Sequence, residues 1–362
     1  MHHPLKATLV ATAALATTVT TAAVPADAAT HAWRVTQTFK PAARTQMDAL
    51  TIASRKDGWA FGNAYHPNAK PAIVPFAYRW NGSRWKYIAL PKGLDGMVQD
   101  VSVRSATDAW AVSTPGESPG AGPNAVLHWN GKRWSVVKRD LPGYPDSVQA
   151  LGPKNVWVFG APGADRGSGT WHYDGRSWKR VKTGTFMPGR TSATSSTNLW
   201  AAGRDAAPGK DMKTVGRFDG RKWTILSVGV PVWSLVAESS RSVWATGCQY
   251  GAKHPNSLLH WDGRSWKRTA APGGECLREI TPDGSGGFWF ASQDGRQRGV
   301  LIHRTKAGKW STVQVPGPKG SPFVRALARV PGTSVVWGVS TMDILDPSKA
   351  RPSSIGQLLR YS

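Results

Sequence analysis

Two residue pairs in this 362-residue chain carry side chains suited to acid-base cleavage of a polymer, Tyr65 with His66 and Tyr250 with His254. A phenol and an imidazole exchange protons within reach of neutral pH, which cleavage of a polysaccharide requires. Both pairs stand among Asn, Pro, Gly and Lys, in stretches that read as loops. The remaining histidines offer less. His128, His172, His260 and His303 recur at one position of a repeat, a position that holds Arg79, Arg217 and Arg360 in other copies. Repetition spreads such residues apart, so they cannot converge on a metal. His2 and His3 lie in the leader, and His31, His66 and His254 show no zinc-type spacing. No phosphate-binding glycine loop occurs, and no cofactor is expected.

The elements that must position these groups are set by the repeat itself. A tryptophan followed by small or apolar residues occurs seven times, at Trp59, Trp110, Trp157, Trp200, Trp244, Trp289 and Trp337, at intervals of 43 to 51 residues. That period belongs to propeller blades. A second phrase alternates with it: Asn81-Gly82 before Trp85, Asn130-Gly131 before Trp134, Asp174-Gly175 before Trp178, Asp219-Gly220 before Trp223 and Asp262-Gly263 before Trp266. Asn-Gly and Asp-Gly between alternating runs predict a hairpin with a type I′ turn. A longer sixth copy ends at Gly308-Lys309-Trp310. Each unit therefore holds four strands, a to d, with the hairpin joining c to d. No window shows apolar residues at helical spacing, so the expected class is all-β. Fourteen of the nineteen tryptophans fall at the strand-b and strand-d positions, where they are expected to pack between blades.

The ends complete the pattern. The last unit stops at Gln357–Ser362 without a strand d, while Trp33-Arg34-Val35-Thr36 near the start matches strand d of the other units. The reading is a seven-bladed β-propeller over residues 29–362, four antiparallel strands per blade, with the closing blade shared between the N- and C-termini. Residues 1–28 read as a secretory signal: one lysine, an apolar run of Ala, Leu, Val and Thr, then Ala26-Asp27-Ala28 as a cleavage site. No later stretch is apolar enough to span a bilayer.

The chain resembles the secreted bacterial β-propellers built from Trp-Asp/Asn-Gly-x-x-Trp and Val-Trp-Ala-x-Gly repeats, and more distantly the Kelch and galactose-oxidase propellers. The resemblance covers the whole mature chain. It implies extracellular placement and ligand binding, and it carries no catalytic residue across.

A net charge of +24 favours anionic surroundings such as cell-envelope polymer or acidic polysaccharide, without a specific nucleic-acid partner. Arg84, Lys132, Arg221 and Lys309 belong to a basic set at the hairpin end, where solubility is the simpler reading and adhesion to anionic polymer the sharper one. The two cysteines, Cys248 and Cys276, are too few for a disulfide framework. Strand parity puts both at the end of adjacent blades opposite the hairpins, so a single bridge is expected.

At that same end lie the b-to-c loops, long and all different, from Asn63–Pro75 in the first unit to Thr341–Gly356 in the last. Variable loops on a repeated frame are where specificity is written. Aligned by distance from the strand-b tryptophan, the innermost strands begin near Asp48, Gln99, Gln149, Arg190, Trp233, Arg278 and Arg325. These are the candidate ligand-binding residues, ringing a channel mouth with polar groups and one aromatic. Three functions remain open: a monomeric, non-catalytic binder of a saccharide or envelope polymer, a polysaccharide-degrading enzyme, and a scaffold for a protein partner.

Overall fold

In the computed structural model the described residues are 31–40, 42, 44–66, 69–115, 123–162, 169–205, 213–249, 256–272, 275–317, 321–344 and 353–362. The proposed signal segment therefore lies outside them, as do Tyr250 and His254. Every regular element among them is a strand, and none is a helix long and apolar enough to cross a membrane.

The chain enters through β1 (Trp33–Phe39) and then runs in antiparallel meanders. The first is β2 (Arg44–Ser54), β3 (Asp57–Tyr65), β4 (Ile73–Trp80) and β5 (Trp85–Ile88). The second is β6 (Met97–Ser105), β7 (Asp108–Thr114), β8 (Ala125–Trp129) and β9 (Trp134–Arg139). The third is β10 (Tyr144–Gly152), β11 (Asn155–Ala161), β12 (Trp171–Tyr173) and β13 (Trp178–Arg180). The fourth is β14 (Phe186–Ser195), β15 (Asn198–Asp205), β16 (Thr214–Phe218) and β17 (Trp223–Ser227). The fifth is β18 (Val232–Ser239), β19 (Ser242–Cys248), β20 (Asn256–Trp261) and β21 (Trp266–Ala270). The sixth is β22 (Glu279–Pro282), β23 (Phe288–Gln293), β24 (Gly299–Arg304) and β25 (Trp310–Gln314). The last is β26 (Ser321–Arg329), β27 (Val336–Ile344) and β28 (Ser353–Tyr361), with β1 returning as its outer strand.

Five of these meanders are separate four-stranded sheets. The first and last share one eight-stranded sheet, joined through a single parallel pair, Arg44 with Ser354. The inner strands touch in sequence, β2 on β6, β6 on β10, β10 on β14, β14 on β18, β18 on β22 and β22 on β26, and β26 meets β2 again. The circuit is closed.

Tryptophan supplies the packing between sheets. Trp59 of β3 meets Trp129 and Trp134 of the next meander, both with ring centroids 4.9 Å away. Trp200 sits between Trp261 and Trp266 at 5.4 and 5.6 Å, and Trp337 between Trp80 and Trp85 at 5.1 and 5.4 Å. The repeated imidazole or guanidinium on strand c covers the same indole. His128 lies 4.4 Å from Trp110, His260 3.9 Å from Trp244, and the Arg79 guanidinium 5.7 Å from Trp59. Two of the strand-c histidines also bond to the start of strand b, His128 to Asp108 at 3.0 Å and His172 to Asn155 at 2.9 Å, and His303 bonds to Asp283 in the a-to-b turn at 2.9 Å. They are framework, as repetition implied.

Two sequence expectations need correction. The hairpin turns are not type I′, because only the glycine takes a positive φ, for example +99° at Gly82 and +91° at Gly131. The preceding Asn or Asp instead folds its side chain over the turn, so that Asn81 Oδ1 accepts the Ser83 and Arg84 N–H groups at 3.0 and 2.9 Å. The first and last b-to-c loops are also shorter than read, since Asn63 pairs with Pro75, Tyr65 with Ile73, and Ile344 with Ser353. Buried Ala64, Met342 and Ile355 extend the apolar face past the assigned loop boundaries.

The ends close as expected. β1 pairs antiparallel with β28, Trp33 opposite Tyr361 and Phe39 opposite Gly356. Trp33 is buried against Trp289 at 5.3 Å and Tyr361 at 5.7 Å. Cys248, ending β19, forms a disulfide with Cys276 before β22, their Cα atoms 5.4 Å apart. Trp33→Ala is expected to cost about 3–5 kcal/mol, the range for truncating a large buried aromatic. Urea unfolding measures it, and deletion of residues 31–39 should add aggregation visible by light scattering, because β28 loses its outer neighbour. Replacing Cys248 by Ser should cost about 3–4 kcal/mol for a loop of this length in the chain-entropy model. The same titration compares it with the parent under oxidising conditions.

Candidate functional site

Each inner strand carries an irregularity at the same height. Pairing skips Asp48 between Met47 and Ala49, Gln99 between Val98 and Asp100, Asp146 between Pro145 and Ser147, Trp233 between Val232 and Ser234, and Arg325 between Val324 and Ala326. In β14 the pair Gly189-Arg190 is skipped, and Arg278 donates its N–H to the Ala291 carbonyl that Glu279 also faces. A bulge inserts one residue, bends the strand and re-aims its side chain. Repeated around a circle of inner strands, it builds a ring at the mouth of the central channel that such folds enclose.

Five sequence candidates, Asp48, Gln99, Trp233, Arg278 and Arg325, share this bulge. Arg190 sits one residue further along its strand. Gln149 does not belong to the ring: it pairs with Trp157 three residues on, and its Nε2 donates to the Thr191 carbonyl at 3.2 Å, tying β10 to β14. Its place is held by Asp146, which the loose alignment passed over. The eleven-residue spacing that Asp48, Gln99, Trp233 and Arg278 keep from their own tryptophans, counted back from Trp157, falls on Asp146.

The ring is electrically mixed. Arg190 reaches Glu279 at 2.8 Å, which joins the fourth meander to the sixth. Burial pushes the Glu279 carboxyl above its usual range, and Arg190 only partly offsets that rise. Asp100 is raised for the same reason, although it accepts the Val148 N–H at 2.9 Å and the Ser147 hydroxyl at 2.8 Å. Asp146 also rises through desolvation, with Arg190 opposing; it is exposed to channel water, which tempers the effect. Asp48 is pushed to about 6 by burial, against a 2.8 Å hydrogen bond from Asn63 Nδ2 and the pull of Arg325. Among the described residues no group of three or more His, Cys, Asp and Glu side chains is placed to hold a metal.

Beside these charges runs a stack of alternating rings and guanidinium groups. Arg278 lies 5.5 Å from the Trp233 ring centroid and 5.1 Å from that of Phe323, and Arg325 lies 4.8 Å from Phe323. A cavity of about 330 Å³ opens at the Trp233 end, between Asp146, Met187, Pro188, Arg190, Arg204 and Pro231. Another of about 440 Å³ opens at the Arg325 end, lined by Gln46, Gln293, Arg296, Gln297, Phe323, Thr341 and Asp343. The stack links them.

Tyr65 and His66 line neither of these two cavities. Arg44 lies over the Tyr65 ring at 5.4 Å, and the His66 backbone closes a turn onto Ala72 at 2.7 Å. Its proposed companions Tyr250 and His254 lie outside the described residues.

A closed circuit of meanders around a channel defines the class of protein, a β-propeller. No protein-family model matches the sequence, and no curated protein matches it either. Among solved structures, YCF48 bound to a D1 peptide superposes with a TM-score of 0.60 at 15% identity, over 91% of this chain and 96% of that one. YCF48 from Cyanidioschyzon merolae gives 0.59 at 14% identity, over 91% and 98%. The Aleuria aurantia lectin, a six-bladed propeller that recognises fucose, reaches 0.45 at 12% identity, over 76% and 97%, a likeness too slight to bear on ligand or blade number. At these identities the likenesses speak to fold alone.

The raised Asp48 gives a pH prediction. A carboxyl whose folded value exceeds 3.8 binds its proton more readily in the folded than in the unfolded chain. Its contribution to stability is complete below the unfolded value and is lost as pH rises through about 6. Asp48→Asn, which cannot ionise, is therefore expected to raise the melting temperature relative to the parent at pH 8 and to leave it nearly unchanged at pH 4. Paired thermal melts across that range check the sign.

Proposed function

We propose that this chain is an exported, seven-bladed propeller that binds an acidic saccharide chain across its channel mouth without cleaving it. The observation that carries the reading is the Trp233–Arg278–Phe323–Arg325 stack running between two cavities. Aromatic faces cover the apolar face of a sugar, while guanidinium edges suit carboxylates. Gln46, Gln293 and Gln297 in the larger cavity bring amides that both donate and accept, as vicinal hydroxyls require. The net charge of +24 favours an anionic chain over a neutral one.

The count of seven blades rests on separating the eight-stranded sheet into two meanders at the lone Arg44–Ser354 pair, and on the closed circuit of inner strands. Export rests on the sequence of residues 1–28 and is consistent with the Cys248–Cys276 bridge. The competing occupant is an acidic peptide, because one superposable propeller is described as bound to a peptide.

The test is a binding array of acidic and neutral glycans and acidic peptides on the mature protein, followed by product analysis of each hit. Uronate-bearing glycans are expected to bind intact. Trp233→Ala and Arg325→Ala should each weaken the best hit by about 1–3 kcal/mol, the usual range for a well-packed contact, with little change in melting temperature. Binding of peptides alone, or turnover of the glycan, would overturn the proposal.

A further inference from the structure

The hairpin end of the ring holds a third cavity, of about 530 Å³, between the second and third meanders. Its origin is a break in the repeat. In three meanders the last residue of strand c is a tryptophan whose Nε1 donates to a carbonyl in its own a-to-b turn. Trp80 bonds Arg55 at 2.9 Å, Trp129 bonds Ala106 at 3.0 Å, and Trp261 bonds Ser240 at 3.3 Å. Each acceptor lies four residues before the strand-b tryptophan. In the third meander the residue is Tyr173, and it donates its hydroxyl to Gly175 in the neighbouring turn at 2.9 Å. The counterpart of those three acceptors is Pro153, and Pro153 lines the cavity.

The outer hairpin is also cut short here, with only three residues in each of β12 and β13. The strand-b indole of the second meander, Trp110, meets its aromatic partners more loosely than Trp59 does, at 5.7 Å from Tyr173 and 6.3 Å from Trp178, against 4.9 Å for both partners of Trp59. Phe218, which replaces tryptophan in the fourth meander, packs on the strand-b indole instead, buried 5.0 Å from Trp157. Tyr361, at the same place in the last meander, likewise packs on its strand-b indole, 4.8 Å from Trp289.

What surrounds the gap is selective. Trp110, Tyr173, Trp178 and Val137 provide an apolar wall, and Val137 is one of the few large apolar side chains left exposed. Asp108 is committed to the wall, accepting from Trp110 Nε1 at 2.9 Å and pairing with His128 at 3.0 Å and with Arg104. His128, Asn130 and the exposed Arg176 give polar groups at the rim. We infer that this gap is a second saccharide site, taking one hexopyranose ring of a glycan. A pyranose supplies the two properties of the missing indole, a broad apolar face and a hydrogen donor, and it adds hydroxyls for the rim. The volume is within the range of small-ligand pockets. The site stands at the opposite end of the strands from the channel mouth and does not depend on what the mouth binds.

The experiment titrates the mature protein with a panel of methyl hexopyranosides, followed by saturation-transfer NMR and tryptophan fluorescence. At least one pyranoside is expected to bind with millimolar affinity. Tyr173→Trp restores the repeat and fills the gap, so it should weaken that binding by about tenfold or more, with the melting temperature held or raised. Arg176→Ala, a surface change that cannot disturb packing, should weaken it severalfold and guards against misfolding of the first variant. Trp233→Ala at the mouth should leave it unchanged. Absence of pyranoside binding in the parent, unaltered binding in both gap variants, loss of binding in Trp233→Ala, or binding of free indole but of no pyranoside would each overturn the inference.

Discussion

The structure depends on one contact made repeatedly, a strand-b indole wedged against the outer side chains of the next meander, which are aromatic in most of them and include the Arg304 guanidinium beside Trp244. Trp59, Trp200 and Trp337 make it with two tryptophans each, at 4.9 to 5.6 Å. A four-stranded sheet has two apolar faces and cannot cover either alone, so every meander relies on both neighbours. That reliance forces a closed circuit. The joint is where the chain begins and ends, and there the wedge is assembled from both termini: Trp289 meets Tyr361 of β28 at 4.8 Å and Trp33 of β1 at 5.3 Å. Backbone pairing of β1 with β28 and indole packing thus act on the same few residues, and neither would suffice to hold a terminal strand of seven residues.

Closing the circuit brings the inner strands to one axis and creates the electrostatic problem of the channel. Side chains at one height face one another whatever their charge. Asp48, Asp100, Asp146 and Glu279 all hold their protons more tightly than free carboxyls do, so the ring is not arranged for maximal stability at neutral pH. Arg190 spans toward Glu279 and lowers the cost without removing it. Polar groups kept at such a cost, at a height where the strands bulge, mark a place under a constraint other than folding. The framework histidines contrast with them, each bonded to a strand-b partner or stacked on an indole within its own repeat.

How much of this was legible in the sequence follows from what repeats. The strands, the closing blade, the tryptophan wedges and the histidine position could all be read because a residue recurring at a fixed place has one role, visible in several copies. The disulfide was legible for a related reason: strand parity alone put Cys248 and Cys276 at one end of adjacent meanders. The turn type was misread, because Asn-Gly has two solutions and the side-chain cap that selects between them leaves no separate mark. Gln149 lies eight residues before Trp157, whereas Asp48, Gln99, Trp233 and Arg278 lie eleven before theirs; the constant count falls on Asp146, the residue that the bulge turns out of the pairing. The alternation of Trp233, Arg278, Phe323 and Arg325 was hidden for another reason, being drawn from three separate repeats.

Departures from the repeat therefore carry information of a different kind from the repeat itself. A framework residue is replaced at little cost only where something else fills its volume, as Phe218 does for an indole in the fourth meander. Tyr173 instead turns its hydroxyl to Gly175, and a cavity lies beside it. The two ends of the ring differ in the same sense. At the mouth, variety is inserted above a regular frame by bulges and loops, which leaves the wedges intact and lets the site change freely. At the hairpin end, the frame itself is altered, so a site there is bound to the packing of two particular meanders. A gap of that kind can be tuned only through the wedge that borders it, which ties whatever it holds to the seam between the second and third meanders.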